Sequence, residues 1–186
     1  PTLQNRQKRD LHNSLLIEQG FFCCYCGREI EESTSHIEHF RPQEHFEELA
    51  LEYQNLHASF LRETQPGNPL HCGHRKGNWF DEAQHISPTD EQCELRFRYL
   101  RTGEIQPTES EDLPATKMIE VLALDIAYLN NRRQSIIRLL FDDEFITHAS
   151  EEDLTHLVAV IRSTDIRDQK PFDHIISRYA EQLLGR

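Results

Sequence analysis

The 186 residues contain no apolar run of about 18 or more, the length a helix needs to cross a bilayer, and this excludes a membrane-spanning helix. Nor is there a signal-like apolar run near the first residue. Cysteine is present in an odd number, five, so the thiols cannot all pair with one another. A chain of this length can bury a core without disulfides, and together these absences lead to the expectation of a cytoplasmic protein whose cysteines are free or metal-bound. Basic charge is scarce as well. Lys and Arg number 20 against 32 Asp and Glu, a formal net charge of −12, whereas proteins that grip nucleic acid unaided carry a basic face because phosphate neutralisation supplies much of the affinity. Contact with nucleic acid must then run through a local cluster such as Arg41, Arg75 and Lys76, or through a partner. There is no internal repeat and no low-complexity tract.

What is present is concentrated. Seven of the eleven histidines lie within residues 36–85 and four of the five cysteines within residues 23–72. The stretch opens with Phe22-Cys23-Cys24-Tyr25-Cys26-Gly27 and continues through His36-Ile37-Glu38-His39-Phe40-Arg41-Pro42 and Tyr53-Gln54-Asn55-Leu56. It closes with His71-Cys72-Gly73-His74-Arg75-Lys76-Gly77.

Around it the periodicities predict an α+β, mostly α chain. Leu11, Leu15 and Leu16 stand at helical spacing within a helix over residues 4–19, and Gly20 is placed to stop it. Residues 21–30 read as a tight knuckle turn, with Gly27 where a left-handed backbone is convenient. Residues 35–40 alternate and run into a proline, predicting a strand that ends near His39, with His36 and Glu38 on one face. Residues 43–61 read as acidic and irregular, with a short helical turn at 46–51, and Pro66-Gly67-Asn68-Pro69 makes residues 65–69 a loop. A short helix over 73–80 would put His74 and Asn78 on one face. A hairpin is expected over residues 95–106, turned at Gly103. Beyond Pro107 the pattern becomes helical, from Ala115, Met118 and Leu122 to Ile175, Ile176 and Leu183, so a boundary is expected near 108, with residues 1–108 holding the motifs and 109–186 helical.

A C-x-x-C turn offers two thiolates to one tetrahedral Zn²⁺, and Cys72 supplies a third from a distant segment. No second C-x-x-C exists, which leaves Cys93, His71 or Cys24 for the fourth position. A redox role for Cys23 and Cys26 lacks the βαβ context it would need. Glu38 and His39 pair a hard oxygen ligand with a neutral imidazole, the two parts that metal-assisted phosphodiester hydrolysis requires. Asn55 can hydrogen-bond the backbone of the long loop and hold His39. His74, beside Arg75 and Lys76, can add a nitrogen ligand where charge is offered to a phosphate.

In that order these residues resemble the HNH endonuclease superfamily, whose ββα-metal fold sets two strands and a helix around one divalent ion. The fuller strings are similar to the HNH nuclease subunit of Septu-type anti-phage systems, which also serves some retron systems. The resemblance is strong over residues 23–77 and continues more weakly through Ile86-Ser87-Pro88, Cys93-Glu94 and the Gly103 hairpin. It implies His39 as general base, Glu38 and His74 as ligands of a catalytic Mg²⁺ or Mn²⁺, Asn55 as the loop-holding residue, His36 at the edge of the site, and Cys23, Cys26 and Cys72 as ligands of a structural Zn²⁺. One position departs: related chains tend to carry a cysteine after Asn-Leu-x-x-Ser, and here that residue is Phe60. The resemblance also implies DNA as substrate and an ATPase subunit of the defence system as partner. The net charge of −12 and the surplus of 14 acidic over 9 basic side chains in residues 111–186 agree with a grip supplied from outside. The competing expectation is a zinc-stabilised nucleic-acid or protein binding module without cleavage, for which Glu38 and His39 would have no use.

Overall fold

The computed structural model describes residues 5–64 and 66–185; residue 4 of the expected first helix and residue 65 of the expected loop lie outside them. The fold is α+β and mostly helical, with two small antiparallel two-stranded sheets. Helix α1 (Asn5–Glu18) buries His12, Leu15 and Leu16, and Gly20, at φ 62°, turns the chain out of it. In the knuckle that follows, Phe22 bridges to Glu29, the Cys23 N–H donates to the Arg28 carbonyl at 2.9 Å and the Gly27 N–H to the Cys23 carbonyl at 3.0 Å. These bonds curl Cys23 and Cys26 toward the same side.

Strand β1 (Ser35–His39) pairs with β2 (Leu56–Phe60), setting His36 opposite Ser59 and Glu38 opposite His57. Strand β2 corrects the expectation of an irregular stretch. Leu56, His57, Ala58 and Ser59 are all buried, so the apolar–polar alternation that marks a half-exposed strand is missing from the sequence. Two 3₁₀ turns, Glu47–Leu49 and Tyr53–Asn55, carry the connection between the strands.

Helix α2 (Cys72–Lys76) is shorter than the expected 73–80, because Gly77 takes φ 54° and ψ −130° and ends it. Asn78 therefore shares no helical face with His74, and its side chain bonds Glu44 instead. Strands β3 (Phe97–Tyr99) and β4 (Ile105–Pro107) form the expected hairpin, and five helices follow: α3 (Leu113–Val121), α4 (Ala127–Leu140), α5 (Asp143–His148), α6 (Glu151–Ser163) and α7 (Asp173–Leu183).

One hydrophobic cluster runs from Leu16 through Cys72 and Leu56 to Met118, Ile137 and Ile176, drawing on both sides of residue 108. Polar contacts cross the same line. The Cys72 N–H donates to the Leu122 carbonyl at 2.8 Å, and on α7 Arg178 donates to the Phe97 carbonyl at 3.0 Å while Gln182 exchanges two 2.8 Å bonds with the Tyr99 backbone. Among the described residues no helix is long and apolar enough to cross a membrane.

Gly27 sits at φ +64°, and the His174 imidazole of α7 occupies the place a Cβ would take, whereas Gly67, at φ +87°, faces open space. Alanine at either position meets the left-handed backbone cost of about 1–2 kcal/mol. Gly27→Ala must in addition displace the His174 ring that packs α7 on the knuckle, a further overpacking cost of about 1–3 kcal/mol that denaturant unfolding should resolve against Gly67→Ala. Equal losses would contradict the packing described.

Candidate active site and metal centre

The ligand atoms of Cys23, Cys26 and Cys72 all lie within 4.8 Å of one another, and the three residues are 3, 5 and 0 % exposed. Among the described residues this is the one group of three His, Cys, Asp or Glu side chains compact enough to hold a metal ion, and none of Cys24, His71 and Cys93 joins it. Burial pushes the thiols up. At Cys23 the hydrogen bonds from Cys24, Cys26, Cys72 and the Phe60 backbone outweigh burial and hold the group well below the usual thiol value. The bond to Cys23 keeps Cys26 protonated, and burial followed by the same bond keeps Cys72 protonated. Three thiols bonded to one another, with the thiolate favoured at Cys23, would give up their protons to a soft cation. Cys93 lies instead in the turn before Glu94–Arg96, where burial raises its thiol to about 11.

Beside the thiols, β1 and α2 enclose a carboxylate. Glu38 is buried; its Oε1 is 2.8 Å from Lys76 Nζ and 3.4 Å from the Tyr25 hydroxyl, and its Oε2 is 3.3 Å from His36 Nε2. Burial pushes this carboxyl up, but the His36 bond and the Lys76 ammonium together prevail and hold it below the usual glutamate value. Gly73 makes the approach feasible: a Cβ there would collide with Glu38 Oε2 and His36 Nε2. His74 continues the line, its ring centroid 4.5 Å from that of His36 and its Nε2 buried without a hydrogen-bond partner.

His39 ends β1. Its Nε2 lies 3.1 Å from the Ala50 carbonyl, which can only accept, so the proton sits on Nε2 and Nδ1 keeps the lone pair. Asn55 holds the loop that carries Ala50. Its Oδ1 accepts from the Arg41 N–H at 2.7 Å, and its Nδ2 donates to the carbonyls of Arg41 at 3.0 Å and Leu49 at 3.1 Å. Glu38 and His39 leave the strand on opposite faces, and Lys76 ties them by pairing with one and donating to the other's carbonyl at 3.1 Å.

The three cations expected at phosphate part company. Arg75 is exposed. Arg41 is half-exposed, pairs with Glu82 at 2.7 Å and lies over Phe80. Lys76 does not face solvent: its side chain is 1 % exposed, and a third contact, 3.2 Å to the Gly77 carbonyl, completes its donors. Sequence reasoning missed Gly73, Tyr25, His57 and Ser59. Gly73 did leave a signal, since glycine inside a helix is unfavourable unless something approaches closely. Ser59, fully buried, accepts from the Gly73 N–H at 3.2 Å and lies 3.8 Å from Cys23 Sγ, joining the thiols to α2. No family model matches the chain, and no curated protein matches it.

Lys76→Met strands a buried carboxylate and should destabilise the protein by about 3–5 kcal/mol, with Glu38→Gln restoring part of the loss in the double variant. Because the folded value of Glu38 is lowered, its contribution is complete above the ordinary glutamate value and is lost as pH falls through the folded one. Urea unfolding across the acid range, without added Mg²⁺, should show a flatter acid limb in Glu38→Gln than in wild type. Parallel acid limbs would show that Glu38 is not held in this pair.

Proposed function

We propose that the chain is an HNH-type endonuclease that hydrolyses DNA phosphodiester bonds with a Mg²⁺ or Mn²⁺ ion, built as a ββα-metal module from β1, β2 and α2 and stabilised by Zn²⁺ at Cys23, Cys26 and Cys72. The observation that carries the reading is the state of His39. This imidazole is fixed in one tautomer by the Ala50 carbonyl, on a loop clamped by Asn55, and Lys76 ties its backbone carbonyl to the buried carboxylate of the preceding residue, Glu38, on the other face of the strand. A binding module has no use for such a base.

Two features support the ion: His74 Nε2 is an orphaned buried nitrogen, and the absence of a Cβ at Gly73 lets Glu38 and His36 approach α2 closely. Glu38 and His74 would hold the ion, with His36 at its edge. When bound, the ion supplies positive charge to the phosphate oxygens on which charge develops. His39 Nδ1 takes the proton of the attacking water, and the Ala50 carbonyl stabilises the imidazolium that results. Asn55 keeps that carbonyl in place, and Arg41 and Arg75 are the cations left to meet the phosphodiester backbone. The acid surplus of the chain supports a reading in which DNA is presented by a partner, an ATPase of an anti-phage defence system in the cytoplasm, with residues 109–186 as the docking region.

Plasmid cleavage with Mg²⁺ or Mn²⁺, alone and with candidate ATPases, tests the proposal. His39→Ala should lose about 100- to 10,000-fold in rate while keeping its zinc and its unfolding midpoint. Cleavage at the wild-type rate by the His39 variant would overturn the assignment.

A further inference from the structure

We infer that His71 is the fourth ligand of the metal held by Cys23, Cys26 and Cys72, so that the site is of the Cys₃His type. The inference rests on the metal reading of the three thiols and goes beyond it. A tetrahedral structural site is closed by four protein ligands, and the thiols provide three. Cys24, Cys93 and His71 all lie outside the compact group, and the case for His71 rests on its buried contact with Cys72.

His71 directly precedes Cys72 and is 2 % exposed. Its Nδ1 stands 3.0 Å from Cys72 Sγ. Nitrogen and sulfur ligands of one tetrahedral zinc, with bonds of about 2.0 and 2.3 Å, lie about 3.5 Å apart, so this nitrogen is already within ligand range of one thiol. The other ring nitrogen, Nε2, is buried without a partner. The imidazole has its single hydrogen-bonding contact on the thiol side.

The ring reaches Cys72 but does not lie within ligand range of all three thiols, so ligation requires it to swing further inward. Phe60 governs that motion. Its ring stacks on the imidazole with centroids 5.1 Å apart and planes 18° apart, and the Arg28 guanidinium covers its ring at 3.7 Å. The stacked ring keeps the buried His71 beside Cys72.

X-ray absorption at the zinc edge of wild-type protein purified without added zinc is the direct test. It should show one zinc per chain with three sulfurs and one imidazole. Zinc bound by sulfur with no imidazole scattering overturns the His71 assignment alone, whereas absence of zinc overturns the metal reading of the thiols. His71→Ala should weaken zinc in chelator competition by at least about 100-fold, the upper end of what losing an outer-shell partner costs. His71→Cys should retain zinc and shift the d–d bands of the Co²⁺-substituted protein to lower energy, as a fourth thiolate does. Unchanged affinity in His71→Ala, or an unchanged Co²⁺ spectrum in His71→Cys, would overturn the inference.

Discussion

Three thiols brought into mutual contact, two from the knuckle after α1 and one from the first residue of α2, fix the geometry on which the remainder of the site depends. Each is tied to a different part of the fold. Cys23 Sγ accepts from the Phe60 N–H at 3.3 Å on β2, Cys26 precedes the glycine on which α7 packs, and the Cys72 N–H is held by Leu122 at the end of α3. Once Cys72 is placed, helical geometry carries Gly73, His74 and Lys76 to β1, where Glu38 and His36 wait. The three cysteines are close enough to hold a soft cation, which would staple segments about 46 residues apart in the chain, Cys26 to Cys72.

The proposed second site would use the opposite chemistry. Thiolates are soft donors suited to Zn²⁺, whereas the Glu38 carboxylate is a hard oxygen suited to Mg²⁺ or Mn²⁺, so donor type would sort two ions within one small module. Gly73 and Ser59 stand between the two sites. The hydroxyl of Ser59 contacts Cys23 on one side and the Gly73 backbone on the other, and Gly73 in turn gives Glu38 its room. The His36 bond and the Lys76 ammonium keep the Glu38 carboxylate charged inside the protein despite burial.

Much of this was legible in the residues, for reasons that also explain what was not. Helix α1, the Gly103 hairpin and the later helices announce themselves by period, and strand β1 by its alternating residues running into Pro42. Strand β2 does not, since Leu56, His57, Ala58 and Ser59 are buried on both faces and two of them are polar. Lys76 reads as a solvated charge beside Arg75, and only its position one turn beyond Cys72 brings it to Glu38. Gly77 ends α2 early and removes Asn78 from the face of His74. The grouping of Cys23, Cys26 and Cys72 was visible from spacing, but exclusion of Cys93 was not, because distance through the fold is not written in sequence separation.

The account turns on two metals with separate tasks, and one measurement addresses it most directly. Protein dialysed to remove Mg²⁺ and Mn²⁺ while retaining its zinc should leave plasmid DNA intact, and cleavage should appear on adding Mg²⁺ or Mn²⁺ with zinc content unchanged. Cleavage that persists without the added ion, or that never appears with either ion and with candidate ATPases present, would contradict it.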